Sequence, residues 1–254
     1  MDYLSVEEAI KRPGLRLVLT AGVPGPWGEA AKYILDYKKV AYAPVYQEGG
    51  GENLALKQWT GQTSAPVLVD NDLPPVCHWL DLLLTAERIA PRPALLPANA
   101  AERTAALGLC ALIAGMDGFG WNRRLQMFAP LMALDEPPPP IARMMGKYGW
   151  SDEAHATAGE KLNGILAELD RVLLAQAAAG SEYFVGASVT AVDLYWASFS
   201  GMLKPLPPAQ NRMPDFLRST YETVDDSLAA AFTPSLEAHR DRIFERYITL
   251  PLDF

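Results

Sequence analysis

The first ninety residues alternate between compact apolar runs and segments with helical periodicity, and this order leaves few possible folds. The strand-like runs are 15–20, 40–47 and 65–70, and the helix-like segments are 27–38, 51–60 and 77–89. An Asn-Asp turn typical of a hairpin follows the third run, and two prolines restrict the next strand to "LPP" or a little more at a sheet edge. We predict the order β-α-β-α-β-β-α, with a parallel first half and an antiparallel hairpin in the second.

Pro66 opens the third apolar run, after the polar loop "TGQTSA". A proline at this point removes a hydrogen-bond donor from the sheet. A cis Ala65-Pro66 bond would turn the N–H and C=O of Ala65 outward, free to pair with an extended peptide ligand. A trans proline on the first residue of a strand fits the same pattern, and the sequence leaves both open.

The remainder of the chain has helical periodicity after a proline-rich connector. We predict an α/β unit over residues 1–90, a linker over 91–98 and an all-helical unit over 99–254. Within the helical unit, Thr190 is followed three residues later by Asp193 and then by an apolar helix. This spacing predicts a capping box at the start of a buried helix, which is a folding device.

These features together resemble the glutathione S-transferase superfamily, as a divergent, bacterial-type member. The resemblance rests on "SAPVLVD" at Pro66, the proline-rich linker, the helical unit and "VGASVTAVD" around the capping box, and it covers nearly the whole chain. It implies a thioredoxin-like α/β domain followed by an all-α domain. It also implies glutathione as co-substrate, bound across the N-terminal domain.

The resemblance places the parts of glutathione along this chain. Its cysteinyl backbone would pair with Ala65 beside Pro66, its thiol would point toward the opening loop at 22–28, and its γ-glutamyl end would reach the start of the third helix. Many family members have an acidic residue and a serine there. This chain has Val76 and Cys77, which leaves backbone N–H groups at the helix start to hold a carboxylate.

The opening loop also departs from the family pattern. The position of the reactive side chain is occupied by Gly25, which is followed by Pro26. Proline at the first helical position and glycine at the N-cap leave the N–H groups of Trp27 and Gly28 unpaired. We expect these backbone donors and the helix dipole to stabilise the thiolate of glutathione.

The helical domain is expected to supply the pocket for the second substrate. The segment "GMDGFGWNRRLQMF" carries Phe119, Trp121 and Arg124, which suit an apolar, partly anionic co-substrate. The same residues are equally typical of an aromatic core with arginines in solvent.

Cys77 permits a different hypothesis, because a thiol at a helix N-terminus can be a nucleophile or a redox group. It lacks the neighbouring cysteine of a C-x-x-C motif, and a small packing residue is the simpler interpretation. His78 has no paired ligand motif, so we predict no metal site.

The composition of the chain excludes some classes of binding partner. The formal charge is −8, from 22 basic and 30 acidic residues, which argues against a nucleic-acid surface. The longest apolar stretch, "AALGLCALIAGM", is shorter than a membrane span, and the N-terminus predicts a short helix capped by Ser5 instead of a secretory signal. The chain has only two cysteines, in different contexts, so no disulfide framework is implied. We therefore expect the protein to reside in a reducing cytoplasm. Homodimerisation is an expectation from the family alone.

The leading functional hypothesis is therefore a glutathione transferase that adds glutathione to, or removes it from, a small apolar electrophile. The alternative is a non-catalytic protein of the same fold that binds ligands or protein partners. A thiol oxidoreductase that uses Cys77 is a third possibility.

Overall fold

The computed structural model describes all residues, 1–254. Its N-terminal part is a three-stranded mixed sheet with helices on both faces. The elements in chain order are α1 (Val6–Lys11), β1 (Leu15–Thr20), α2 (Pro26–Tyr37), β2 (Ala43–Gln47), α3 (Leu54–Thr60), β3 (Val67–Asp70) and α4 (Trp79–Ile89). Ser5 caps α1 through the expected capping box with Glu8. This part of the chain is the predicted thioredoxin-like arrangement.

The sheet has the order β2-β1-β3, with β1 parallel to β2 and antiparallel to β3. Its fourth member is a single bridge, in which Val76 exchanges two backbone hydrogen bonds with Leu68. The sequence placed this edge at "LPP" or a little more, and Val76 is the next residue. Pro74 and Pro75 have no N–H to donate to the sheet. Val76 is therefore the first residue that can both donate and accept a backbone hydrogen bond there.

Several elements begin later than their apolar patterns suggest. Asn53 has a left-handed backbone (φ 48°), so α3 begins after it and not at residue 51. Helix α4 was expected to begin at Cys77 and instead begins at Trp79, with His78 as its N-cap. Cys77 therefore lies before the helix, on the surface.

The C-terminal part is entirely helical. Its elements are α5 (Ala100–Ala114), α6 (Phe119–Met132), α7 (Pro139–Lys147), α8 (Asp152–Ala178), α9 (Ala191–Ser200), α10 (Asp215–Glu222), α11 (Asp226–Ala231) and α12 (Pro234–Tyr247). Every residue of α9 is buried, and this helix contacts α2, α5 and α12. The fold class predicted from the sequence is confirmed: a thioredoxin-like unit followed by an all-helical one.

The two parts share a hydrophobic core. One cluster of 50 buried residues runs from Leu17 of β1 through α2 and α4 to Trp196 of α9 and beyond. A second cluster of 6 residues, among them Val18 and Leu56, fills the opposite face of the sheet under α1 and α3. No regular element lies between Ile89 and Ala100. The division into domains at 91–98 stays a prediction.

The helical segment Ala100–Met132 is long and apolar enough, by length and composition, to cross a membrane. Half of its most apolar window is buried inside the fold, and the core helix of a soluble protein meets the same criterion. The expectation that the chain has no membrane span therefore stays a prediction.

Candidate functional site

The peptide bond between Ala65 and Pro66 is cis, one of the two alternatives that the sequence left open. Ala65 is half-buried and lies two residues before the first residue of β3. Neither its N–H nor its C=O has a hydrogen-bond partner within the protein. Ala65 thus offers one donor and one acceptor to an extended ligand.

The turn before α2 offers unpaired donors. Gly25 is the N-cap, with φ −66° and ψ 124°, and it makes no side-chain capping bond. Its C=O accepts from the N–H of Glu29, whereas the N–H groups of Trp27 and Gly28 have no partner in the protein. These donors lie at the positive end of the dipole of a 12-residue helix, an arrangement suited to an anion.

Contacts from the helical part hold this turn in place. The indole Nε1 of Trp27 donates to the C=O of Ala114 at 2.9 Å, and its ring lies edge-on to Phe199 at 4.8 Å. The hydroxyl of Ser198 donates to the C=O of Pro26 at 2.7 Å. The direction of the free N–H groups therefore depends on α5 and α9 as well as on α2.

Ala65 and the turn line one cleft of about 340 Å³ between the sheet and the helical part. Its opposite wall is formed by α6, α7 and α10, and its apolar members include Phe128, Leu131, Ile141, Met144 and Phe216. A larger groove of about 1030 Å³ runs between α5 and α8, but it contains none of the residues that the sequence singled out. The cleft, with its convergent polar groups, is the candidate site.

Two neighbouring arginines of α6 have different environments. The guanidinium of Arg123 donates hydrogen bonds to three backbone carbonyls, those of Met202 (3.0 Å), Tyr221 (3.2 Å) and Thr223 (2.7 Å). Arg124 lines the cleft and is 8% exposed. Its Nη2 donates to the hydroxyl of Tyr221 at 3.2 Å, and its Nε has no partner. Arg124 forms no ion pair, so the cleft contains a buried cation without a protein anion.

Comparison with solved structures identifies the architecture. A glutathione S-transferase from Methylobacterium radiotolerans, in complex with glutathione sulfonate, matches with a TM-score of 0.64 at 20% identity over 91% of both chains. One from Methylobacillus flagellatus with glutathione bound matches with a TM-score of 0.65 at 13% identity, covering 91% of this chain and 95% of the other. A glutathione transferase family member from Pseudomonas fluorescens, with two glutathione molecules bound, gives 0.64 at 12% identity, over 95% and 94%.

The chain has the glutathione S-transferase fold. No protein-family model matches the sequence, and no curated protein matches it either. The fold that the resemblance implied is thus confirmed.

Within this transferase fold, the predicted co-substrate residues do not come together. Phe119 is fully buried and packs edge-on against Trp196 in the core, away from the cleft. Trp121 lies behind the cleft wall, edge-on to the ring of Tyr148 at 4.9 Å. Of the three, Arg124 alone lines the cleft, and it is buried instead of solvated.

In this transferase fold, the two positions predicted to meet the γ-glutamyl end, Val76 and Cys77, provide no carboxylate or hydroxyl. Val76 uses both backbone groups to pair with Leu68, and Cys77 is exposed. His78 lies 3.9 Å from the carboxylate of Asp81 on the surface. No three His, Cys, Asp or Glu side chains come together at a metal-binding spacing. Cys110 is buried in the core, where desolvation raises the pKa of its thiol.

Helix α7 supplies cleft residues that the sequence did not reveal. Lys147 donates to the hydroxyl of Ser64 at 2.8 Å, and Arg143 donates to the C=O of Gly50 at 3.0 Å. The two cations are four residues apart and therefore share a face of α7, which was a detectable signal. The hydrogen bonds of that face to Gly50 and Ser64 join segments far apart in the chain, so the sequence carries no signal for them.

Proposed function

We propose that the protein is a glutathione-dependent transferase, acting on a small apolar electrophile by conjugation or by thiol-dependent removal of glutathione. The observation that supports this most strongly is the presence, in one cleft, of an unpaired Ala65 backbone and the free N–H groups of Trp27 and Gly28. An extended thiol peptide would use both sets of groups.

In this proposal the cysteinyl unit of glutathione pairs with Ala65 beside Pro66, and its thiol faces the turn at Gly25. The γ-glutamyl end extends toward Val76 and Cys77, which precede α4. Glutathione carries a net negative charge at neutral pH. Lys147 lines the cleft, and Arg143 lies next to it, bonded to the lining residue Gly50. This charge pattern favours the peptide anion.

The chemistry follows from the turn. The N–H groups of Trp27 and Gly28 stabilise the thiolate, and the helix dipole adds about 0.3–1 kcal/mol. The sulfur attacks the electrophilic carbon, a C–S bond forms, the leaving group departs with its electron pair, and the thiol proton passes to solvent. No side chain at Gly25 assists, so we expect slow turnover compared with an enzyme that has an activating hydroxyl or thiol there.

A protein with this function would work in a reducing cytoplasm. Its partners would be small molecules, and it would bind neither nucleic acid nor a membrane. A homodimer is part of the same proposal.

A non-catalytic binding protein with this fold is the second candidate. It is favoured by one observation: the places where family members present activating or binding side chains are occupied by Gly25, Val76 and Cys77. Under this reading the cleft would bind its ligand without turnover.

Two measurements on the purified protein decide between them. Isothermal titration calorimetry with glutathione tests binding, and the absorbance change with chlorodinitrobenzene tests conjugation. Binding together with protein-dependent conjugation supports the transferase. Binding without conjugation supports the second candidate, and the absence of both rejects the assignment of the cleft to glutathione.

A further inference from the structure

Arg124 is the feature of the cleft that glutathione binding leaves unexplained. A buried guanidinium is costly unless it is paired and hydrogen-bonded. Arg124 has one hydrogen bond, to the hydroxyl of Tyr221. Its guanidinium carbon lies 5.7 Å from the ring centroids of Phe128 and Tyr221. Its Nε is buried and unpartnered, and no carboxylate contacts it.

The other charged groups of the cleft do not neutralise it. The carboxyl of Glu29 is held by Lys32 at 3.1 Å. Lys147 at the rim adds a second positive charge, bonded to Ser64. The electrostatic balance of the cleft is therefore positive, in a protein whose overall charge is −8.

The surroundings of Arg124 define the shape of the missing anion. The hydroxyl of Tyr148 lies beside the guanidinium, and burial raises its pKa although Arg124 acts in the opposite direction. Tyr148 therefore remains a neutral phenol and a hydrogen-bond donor. Phe128 and Leu131 follow Arg124 at i+4 and i+7, so one face of α6 presents a cation followed by an apolar surface.

We propose that the electrophile bound by this cleft carries a carboxylate on a flat apolar body, with Arg124 and the hydroxyl of Tyr148 binding the carboxylate. The guanidinium fork matches two carboxylate oxygens, and the aromatic and aliphatic wall accepts the body. This inference rests on the proposed function, since it names the substrate class of the same site.

The reaction of such a substrate is balanced without a further reactant. With chloronitrobenzoate as the probe, the thiolate of glutathione attacks the carbon that bears chlorine. The C–S bond forms, the C–Cl bond breaks, chloride leaves with the electron pair, and the thiol proton goes to solvent. The carboxylate takes no part in these steps and serves only to bind and orient.

The first test compares chloronitrobenzoate with its methyl ester on the unaltered protein. Calorimetry in the absence of glutathione is expected to give at least about tenfold tighter binding of the acid. In the presence of glutathione, kcat/KM for conjugation is expected to favour the acid by a similar factor. Equal binding of acid and ester overturns the proposal. Because the binding experiment needs no turnover, failure of the transferase assignment is seen separately.

The second test uses variants. Arg124→Met and Tyr148→Phe are each expected to reduce the acid-to-ester binding ratio, Arg124→Met to near unity, while binding of the ester changes little. Arg88→Met is the control, because Arg88 is an exposed cation of α4 that does not line the cleft, and its loss should leave the ratio unchanged. Circular dichroism checks the fold of each variant, and Tyr148→Phe keeps the test decisive if Arg124→Met does not fold. A loss of glutathione affinity in Arg124→Met with an unchanged ratio contradicts the proposal.

Discussion

Gly25 has room for a side chain that it does not carry. A Cβ built at this position meets no atom within 4 Å, and its backbone angles are in the extended region that any residue adopts. The glycine is therefore required neither by packing nor by its conformation. Because Gly25 has no side chain, only backbone groups can act on a ligand at the N-terminus of α2.

We predict that Gly25→Ser increases kcat/KM for glutathione conjugation by about tenfold or more, since one added hydrogen bond to a charged group contributes about 1.5–3 kcal/mol. The hydroxyl would point from the N-cap into the cleft and donate to the thiolate. The absorbance assay with chlorodinitrobenzene measures the change.

Gly25→Ala is the matched control for that substitution, because it adds the Cβ without the hydroxyl. We expect its kcat/KM to remain close to that of the unaltered protein. An equal gain in both variants would mean that the effect comes from the helix and not from the hydroxyl.

The residues of α6 show what a sequence alone can reveal about a site. Arg124, Phe128 and Leu131 share a face by their spacing, and so do Phe119 and Arg123. Periodicity separates the two faces but does not say which of them meets a cleft. From the sequence, Phe119 and Arg124 were expected in one pocket because they are near in the chain. The structure separates them, because Phe119 packs on Trp196.

At the scale of elements, α9 depends on one buried carboxylate. Asp193 accepts from the N–H and the hydroxyl of Thr190, at 2.7 and 2.9 Å, and from the N–H of Phe184 at 3.1 Å. His239 lies 3.0 Å away. The carboxylate thus ties the start of α9 to the preceding loop and to α12.

We predict that Asp193→Ala lowers the free energy of unfolding by about 3–5 kcal/mol, because it leaves several buried donors without an acceptor. Urea denaturation followed by circular dichroism measures the change. Asp81→Ala, at an exposed carboxylate of α4, is the control and should stay within about 0.5 kcal/mol. A loss of under about 1 kcal/mol for Asp193→Ala would contradict the role assigned to the cap.

Helix α7 connects the two flanks of the cleft through Arg143 and Lys147. Desolvation lowers the pKa of the Lys147 ammonium. Lys147 is charged below that pKa and neutral above it. Its attraction for a carboxylate is therefore present at neutral pH and lost as the pH rises, earlier than for an ordinary lysine with a pKa of about 10.4.

We predict that affinity for S-methylglutathione, which has no ionisable thiol, falls in this alkaline range. Lys147→Met should bind more weakly at neutral pH and lose this part of the pH dependence. Lys147→Arg should keep its affinity to higher pH, because a guanidinium stays charged. Calorimetric titrations at a series of pH values give the comparison, and parallel curves for the unaltered protein and Lys147→Met would exclude the role of Lys147.

At the scale of the whole molecule, the continuous core predicts cooperative unfolding. The cluster of 50 buried residues includes side chains from β1, α2, α4 and the helices that follow. The hydroxyl of Tyr195 also donates to the C=O of Trp79 at 3.0 Å across the same boundary. The thioredoxin-like part would expose one apolar face without its helical neighbour.

We therefore expect a single heat-absorption peak in scanning calorimetry, with equal calorimetric and van't Hoff enthalpies. Two resolved peaks would show that the parts unfold independently.

The sequence predicts the order of elements well because each apolar run or stripe is a local signal. It predicts element ends less well, since a left-handed Asn53 or the pairing of Val76 depends on neighbours in space. The cleft is the least predictable part. Helix α7 reaches it through contacts with Gly50 and Ser64, which are more than eighty residues away in the chain.

Trp27 is an intrinsic fluorophore placed to report ligand binding in the cleft. The backbone N–H of this residue opens into the cleft, while its indole is hydrogen-bonded to Ala114 and lies 5.8 Å from the ring of Tyr148. An anion seated at the turn places its charge beside a chromophore whose position is fixed. Occupancy of the cleft should therefore be visible as a change in ultraviolet emission, without any label attached to the chain.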